Sequence, residues 1–153
     1  MPYVTERWLG GMLTNFATIR RSVKKMESIR KLLDDKSTTS LTKKERLLLD
    51  RQLQKLSTVL GGIENLNRVP AAVYVVDITY EDIAIKEAKK LGVRTLGMVD
   101  TNSNPNSIDF PIPSNDDAAN SIQLITRYLA DAAIAGSKDR AQMKEESAKS
   151  EEK

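Results

Sequence analysis

Cysteine and histidine are both absent from the 153-residue sequence. Without cysteine the chain cannot form disulfides, use a cysteine nucleophile or build a zinc finger from thiolates. Without histidine it cannot hold haem through imidazole or build a catalytic triad around a histidine base. The absence of cysteine fits a protein of the reducing cytoplasm.

Long hydrophobic runs are missing as well. The longest one, residues 71–76, is much shorter than the roughly 20 apolar residues that a membrane-spanning helix needs. We therefore predict no membrane partner. Apolar residues make up 40% of a chain whose length suits one domain, so one compact core is expected.

Positive charge is concentrated in the first half of the chain. Residues 1–70 carry 14 basic and 7 acidic side chains, a net of +7, whereas residues 71–135 carry 5 and 9, a net of −4. A cationic region of this kind favours a polyanionic partner, most often nucleic acid. The alternative is that lysine and arginine only keep long helices in solution.

Two segments carry apolar residues at alternating steps of four and three, the spacing of a coiled-coil seam. The polar stretch 34–40 separates them, and Thr42 with Glu45 is a capping box that starts the second helix. Because helices with matched seams and a short connection pack antiparallel, we predict a helical hairpin, the arm, over about residues 14–62. The seams are Met12, Phe16, Ile19, Val23 and Met26, and Leu49, Leu53, Leu56, Leu60 and Ile63.

Beyond residue 70 the sequence alternates between strand and helix patterns. Residues 71–77 and 93–100 are mostly apolar runs that each end in aspartate, and the helical segment between them predicts a parallel strand–helix–strand unit. The first of these strands is expected to be buried on both faces. Residues 110–113 predict a short edge strand, because proline cannot donate to a sheet ladder.

The predicted fold class is therefore α/β, with a parallel sheet that is incomplete here and an inserted helical arm. Residues 1–136 are expected to form this partial domain, with Thr14 or Asn15 capping the first helix and Gly136 ending the last one. Residues 137–153 predict a disordered charged tail, and a frayed extension of the last helix is the alternative.

Asp77 and Asp100 end the two predicted strands and carry the best enzymatic hypothesis. Carboxylates at the carboxyl ends of parallel strands can hold Mg²⁺, which suggests a magnesium-dependent phosphotransfer or hydrolase module. However, aspartate is also common at loop starts and helix caps, and no lysine or histidine lies close by in sequence to act as a base or phosphate clamp. We therefore predict no catalytic residue, no metal and no cofactor.

The basic residues of the arm carry a different hypothesis, because a rigid cationic projection suits contacts with phosphate groups. At the root of the arm, Arg7 offers a charge and Trp8 a ring for stacking, although for Trp8 we favour a packing anchor. A third hypothesis is a protein-binding coiled-coil adaptor, for which Leu32, Leu47 and Leu48 are the candidate exposed apolar residues. The basic candidates along the arm are Arg20, Arg21, Lys24, Lys25, Lys31, Lys43 and Lys44.

Seven segments carry a family resemblance over residues 1–136. They are, in order, RWLGGMLTNFATIRRSVKKM, LTKKE, LGGI, PAAVYVVD, IAIKEAKKLGV, GMVDTNSNP and IPSNDDAANSI. In order and spacing they resemble the family of bacterial small-subunit ribosomal protein two. The resemblance implies a flavodoxin-like, Rossmann-like sheet with an inserted antiparallel coiled-coil hairpin, and an N-terminal stretch upstream of Met1 that supplies early strands.

The resemblance also implies a structural role rather than a catalytic one. The implied partners are small-subunit ribosomal RNA and neighbouring ribosomal proteins, including ribosomal protein one, in support of translation initiation. The implied location is the cytoplasmic ribosome, with an organellar ribosome as the alternative. Carried onto this chain, the RNA-facing residues are Arg7, Trp8, Thr14 and Asn15 at the root of the arm, and Arg20, Arg21, Lys24 and Lys25 along it.

Overall fold

The computed structural model describes residues 1–35 and 41–151 and has an α/β fold. Two helices come first, followed by a strand–helix–strand unit, a third strand and a last helix. The elements are α1 (Phe16–Asp34), α2 (Lys43–Leu60), β1 (Ala72–Val75), α3 (Asp82–Lys90), β2 (Arg94–Val99), β3 (Phe110–Pro113) and α4 (Ala119–Glu151), with short 3₁₀ helices at Gly61–Ile63 and Pro105–Ser107.

Helices α1 and α2 pack against each other along the predicted seams. Their contacts run in opposite order: Arg46 Nη2 donates to Leu33 O at 3.2 Å at one end, and Arg20 Nη1 donates to Glu64 O at 2.8 Å at the other. Each buried aliphatic side chain contributes about 1.5–3 kcal/mol relative to exposure. The buried seam side chains are Met12, Ile19, Val23, Met26, Leu60 and Ile63.

Helix α2 begins at the predicted capping box. Thr42 N donates to Glu45 Oε2 at 2.8 Å, and Glu45 N donates to Thr42 Oγ1 at 3.3 Å. At the start of α1, by contrast, Asn15 occupies the N-cap position and makes no side-chain capping bond. Helix α1 extends through Asp34, and residues 36–40 of the predicted connection lie outside the described residues.

The sheet is parallel throughout, in the order β1-β2-β3, and it confirms the predicted strand–helix–strand unit and edge strand. Strand β1 is the other edge, so the prediction that it is buried on both faces is wrong: Ala72 is exposed and Val73 only half-buried. The core beside the sheet is close-packed at Gly97, where a Cβ atom would lie 2.6 Å from Ile78 Cγ2.

Helix α4 extends beyond its predicted end at Gly136. It starts at Ala119, where Asn115 Oδ1 accepts hydrogen bonds from Asp117 N and Ala118 N, and it continues past Gly136 to Glu151. A single glycine costs a helix only about 1 kcal/mol, and the sequence after it is rich in alanine, glutamate, lysine and arginine, which favour helix. This agrees with the alternative of a helical extension. None of the described helices is long and apolar enough to cross a membrane.

Candidate nucleic-acid interface

The loop before α1 joins the arm to the α/β body by wrapping around the carboxylate of Glu87 on α3. Gly11 N donates to Oε1 at 2.5 Å, and Leu13 N and Thr14 N donate to Oε2 at 2.8 and 3.0 Å. The Thr14 hydroxyl donates to the same Oε2 at 3.2 Å. Gly11 has a φ of +87°, which glycine adopts at little cost. We name this arrangement the Glu87 cradle.

The Glu87 side chain is held in its ionised form by the cradle. It is only 8% exposed, and burial alone would raise the pKa of its carboxyl group. The backbone hydrogen bonds from Thr14, Leu13 and Gly11 outweigh burial and hold that pKa below its usual range. Glu87 was not singled out from the sequence; the signal for it is a glutamate on the buried face of α3 beside Ala84 and Ala88.

Apolar contacts accompany the cradle. Leu13 is 3% exposed and packs with Ala88 and Val93 of the body. Trp8 is half-buried and packs both against this group and against the seam of the arm. Its Nε1 is buried and lacks a hydrogen-bond partner of good geometry among the described residues. These contacts favour the packing role of Trp8 over RNA stacking.

Three arginines of the arm are tied to the protein itself. Arg20 donates to Glu64 O at 2.8 Å and to Asn67 Oδ1 at 2.9 Å, so it links α1 to the segment that follows α2. Arg30 forms an ion pair with Glu64 at 2.6 Å, and Arg46 caps a carbonyl of α1. Of these, only Arg20 belongs to the predicted RNA-binding set.

The remaining basic candidates on α1 form an exposed row. The helical repeat places Arg21, Lys24, Lys25 and Lys31 on the side of α1 that faces away from the seam. Arg21 lies about 5–6 Å from Lys24 and from Lys25, and Lys31 lies about two turns beyond Lys24. All four are exposed, and within the described parts of the chain none of them forms an ion pair. The row is therefore available to an external anion.

Lys43 and Lys44 extend the positive charge to the start of α2. Both are exposed and lie in the first turn of the helix. Cations at a helix N-terminus are disfavoured by the macrodipole, by about 0.3–1 kcal/mol each. Their placement is thus not explained by the stability of the helix.

The root of the arm presents the other predicted residues. Arg7 is exposed, with no ion pair in the part of the chain that the structure describes. Asn15 is exposed, and its backbone carbonyl accepts from Thr18 N at 3.0 Å. Thr14 is exposed as a residue, but its backbone N–H and hydroxyl both donate to Glu87.

The two aspartates of the enzymatic hypothesis shape loops. Asp77 Oδ1 accepts from Thr79 N and Tyr80 N, both at 2.8 Å. Asp100 accepts from Thr101 N at 2.6 Å and from Asp116 N at 3.3 Å, and these bonds lower its pKa. Hydrogen bonding of this kind is the ordinary work of aspartate at the end of a strand.

Asp116 and Asp117 lie beside Asp100. One carboxylate oxygen from each of the three residues falls within 4.8 Å of the others. Burial, and then repulsion from Asp77 and Asp100, raises the pKa of Asp116. These three carboxylates form an acidic group, but the sequence identified no base or phosphate clamp to act beside them.

Known proteins resemble this chain closely. A family model described as ribosomal protein S2 matches residues 1–136. The small ribosomal subunit protein uS2 of Cytophaga hutchinsonii is 60% identical over 129 residues, which cover 84% of this chain and 51% of that protein. The proteins of the same name from Chlorobium chlorochromatii and Christiangramia forsetii are 55% and 53% identical, over 88% and 100% of this chain and 53% of their own lengths.

The chain spans about half the length of these curated relatives. The family match covers the loop that carries the cradle, both arm helices, the three strands and the first part of α4. The chain therefore belongs to the ribosomal protein S2 family.

Proposed function

We propose that this chain serves as a structural, non-catalytic constituent of the small ribosomal subunit, and that it binds ribosomal RNA through its arm. The observation that carries the proposal is the row of exposed cations on α1, which find no partner among the described residues, in a member of the ribosomal protein S2 family. The relatives are named as small ribosomal subunit proteins, which supports a location on the cytoplasmic ribosome.

The fold also supports this proposal and assigns a role to the helical pair. Three parallel strands with an attached helical pair are what a flavodoxin-like domain with an inserted antiparallel coiled coil would present over this part of the chain. The buried apolar residues of the pair pack between its own two helices and at its root, and most of its basic side chains stay exposed. We assign to it the role of an RNA-binding arm.

Phosphate contacts explain the choice of side chains. Lysine and arginine neutralise phosphates without reading sequence, and the released counterions make binding dependent on salt. The arm offers no fully exposed aromatic ring on α1 or α2, so stacking on unpaired bases is not its mode of binding. The proposed contact residues are Arg7, Asn15, Arg21, Lys24, Lys25, Lys31, Lys43 and Lys44, with Trp8, Thr14 and Arg20 supporting them from within the protein.

Charge reversal tests this proposal. In the variant R21E/K24E/K25E the affinity for in vitro transcribed small-subunit ribosomal RNA should fall, because three phosphate contacts are lost. The slope of log K against log salt should become shallower by about 2–3 in filter binding, at roughly 0.7–0.9 per contact.

The control reverses three cations on α3 of the body. The variant K86E/K89E/K90E changes the net charge by the same amount, and its positions lie outside the arm. It should keep the salt slope of the unchanged chain. Equal loss of affinity and slope in both variants would show that only net charge matters and would contradict an RNA-binding arm.

A second partner is suggested by the far end of the arm. Leu32, Leu47 and Leu48 are 38%, 50% and 55% exposed and lie near the connection between the helices. Leu47 and Leu48 are adjacent on α2, and exposed apolar side chains that lie next to each other favour a protein contact. We propose a neighbouring ribosomal protein there, and the contribution to recruiting ribosomal protein one for initiation stays a prediction.

L47S/L48S is the variant that tests this contact. It should weaken incorporation of the chain into small subunits while leaving its affinity for naked ribosomal RNA unchanged. A parallel loss of RNA affinity would instead assign the leucines to the RNA-binding surface.

A further inference from the structure

We propose that Glu87 is a positioning residue that sets the orientation of the arm relative to the α/β body. The inference rests on the proposed RNA-binding function for its consequence, but the orientation itself is a property of the protein alone. Glu87 lies on α3, outside the arm, and none of the basic residues of the arm contacts it through a hydrogen bond or ion pair in the described residues.

The geometry of the cradle is directional. Three backbone N–H groups within four residues converge on one carboxylate, and the positive φ of Gly11 sets the direction of the chain between the first of them and the other two. Such a concave set of N–H groups is an anion-binding arrangement, here occupied by a side chain of the same protein. Charge-assisted bonds of this kind are shorter and stronger than neutral ones, so they define the path of the loop closely.

The connection that Glu87 secures is narrow. Helices α1 and α2 make their main contacts with each other, while the body is touched through the loop that contains Leu13 and through Trp8. The Tyr3–Gly62 hydrogen bond, by contrast, joins parts of the arm's own root. Glu87 is therefore the one residue of α3 that holds the start of α1 by hydrogen bonds in the described structure.

A buried carboxylate costs more free energy than is needed merely to hold the loop against α3. Desolvation of the charge opposes burial, and an apolar side chain of similar size could pack with Leu13 without that cost. An apolar side chain would not, however, direct three N–H groups to fixed points. The carboxylate thus supplies orientation, which limits the freedom that RNA binding would otherwise have to remove.

The first measurement needs no RNA. Because the chain has no cysteine, the pair S28C/K89C provides the only two attachment points for spin labels, one on α1 and one on α3. The distance distribution between them should be narrow in the parent chain, clearly broader with E87Q, and intermediate with E87D, which keeps the charge on a shorter side chain. The control D82N, an exposed acid on the same helix, should leave the distribution unchanged.

The second measurement uses unlabelled protein and in vitro transcribed small-subunit ribosomal RNA. With E87Q the affinity should fall about three- to tenfold, because the arm must be ordered on binding, while the salt slope stays unchanged, because no cation is lost. A loss of slope would mean that the basic contacts themselves are lost, and it would contradict a positioning role.

The outcomes separate this inference from the proposed function. An unchanged distance distribution in E87Q overturns the role of Glu87, whatever the RNA affinity is. A broader distribution in a chain that binds no RNA supports the orientation and overturns the RNA-binding function. If E87Q does not fold, E87D takes its place, because it shortens the reach of the carboxylate to the three N–H groups: a broader distribution than in the parent chain then supports the inference, and an unchanged one overturns it.

Discussion

Gly61 and Gly62 occupy adjacent positions at the end of α2, and the structure predicts opposite effects when each is replaced by alanine. A Cβ atom on Gly62 would lie 2.1 Å from Tyr3 O and 3.0 Å from Tyr3 C, both in the backbone. A Cβ atom on Gly61 would meet Ser57 Oγ at 3.6 Å, an ordinary contact. The two variants therefore differ in steric overlap while changing the same chemistry.

The size of the difference follows from the two environments. Gly61 has helical angles, φ −57° and ψ −41°, so G61A should stabilise the chain by about 0.4–1 kcal/mol through the unfolded state. G62A must displace the N-terminal segment and lose the Tyr3 N to Gly62 O hydrogen bond of 3.0 Å. Overpacking costs about 1–3 kcal/mol and the lost bond about 0.5–1.5 kcal/mol, so together they cost G62A roughly 1.5–4.5 kcal/mol before the same unfolded-state gain is subtracted.

Urea unfolding of the two 153-residue variants measures this difference. With a slope of roughly 1–3 kcal/mol per M, the midpoint of G62A should lie about 1–2 M below that of G61A. Amide exchange at Tyr3 should accelerate in G62A only, since its acceptor is displaced. Equal midpoints together with unchanged exchange at Tyr3 would refute the close approach of residue 3 to the end of the arm.

Two further predictions concern the cradle and the cap of α2. The pKa of Glu87 is lowered in the folded chain, so its stabilising contribution is present above the unfolded pKa of about 4.3 and is lost as the pH falls through the lower folded value. The variant E87Q should remove this part of the acid dependence of the urea midpoint. An unchanged acid dependence in E87Q would contradict the prediction. T42A should cost about 1 kcal/mol by removing the capping box, with faster amide exchange in the first turn of α2, and exchange at the parent rate there would contradict the cap.

Local periodicity was sufficient to predict the arm. Six of the ten seam residues at steps of four and three are buried and the other four are half-buried, and the Thr42–Glu45 box starts α2 as expected. These signals depend on residues close in sequence, whose relative positions a helix fixes by itself. The edge strand at 110–113 was predictable for the same reason, because proline restricts its own ladder bonds.

The cradle could not be predicted in this way, since its partners are 73–76 residues apart. Nothing in the sequence near Gly11 shows which acid its N–H meets, and Glu87 resembles a solvated helix residue until α3 is placed on the sheet. The continuation of α4 past Gly136 has another cause: one glycine is a weak stop signal when strong helix formers follow it.

Counting cations overstated the charge that the arm offers to a partner. Arg20, Arg30 and Arg46 donate hydrogen bonds to other groups of the protein. A guanidinium suits this role because its planar fork reaches carbonyl and carboxylate oxygens at fixed angles. Lysine is a mobile point charge, and Lys24 and Lys25 stay exposed without ion pairs among the described residues. These three arginines thus maintain the shape of the arm, while the lysines, with Arg21, provide most of the positive charge that a partner meets. The net charge of +7 in residues 1–70 does not distinguish these two groups, and the structure does.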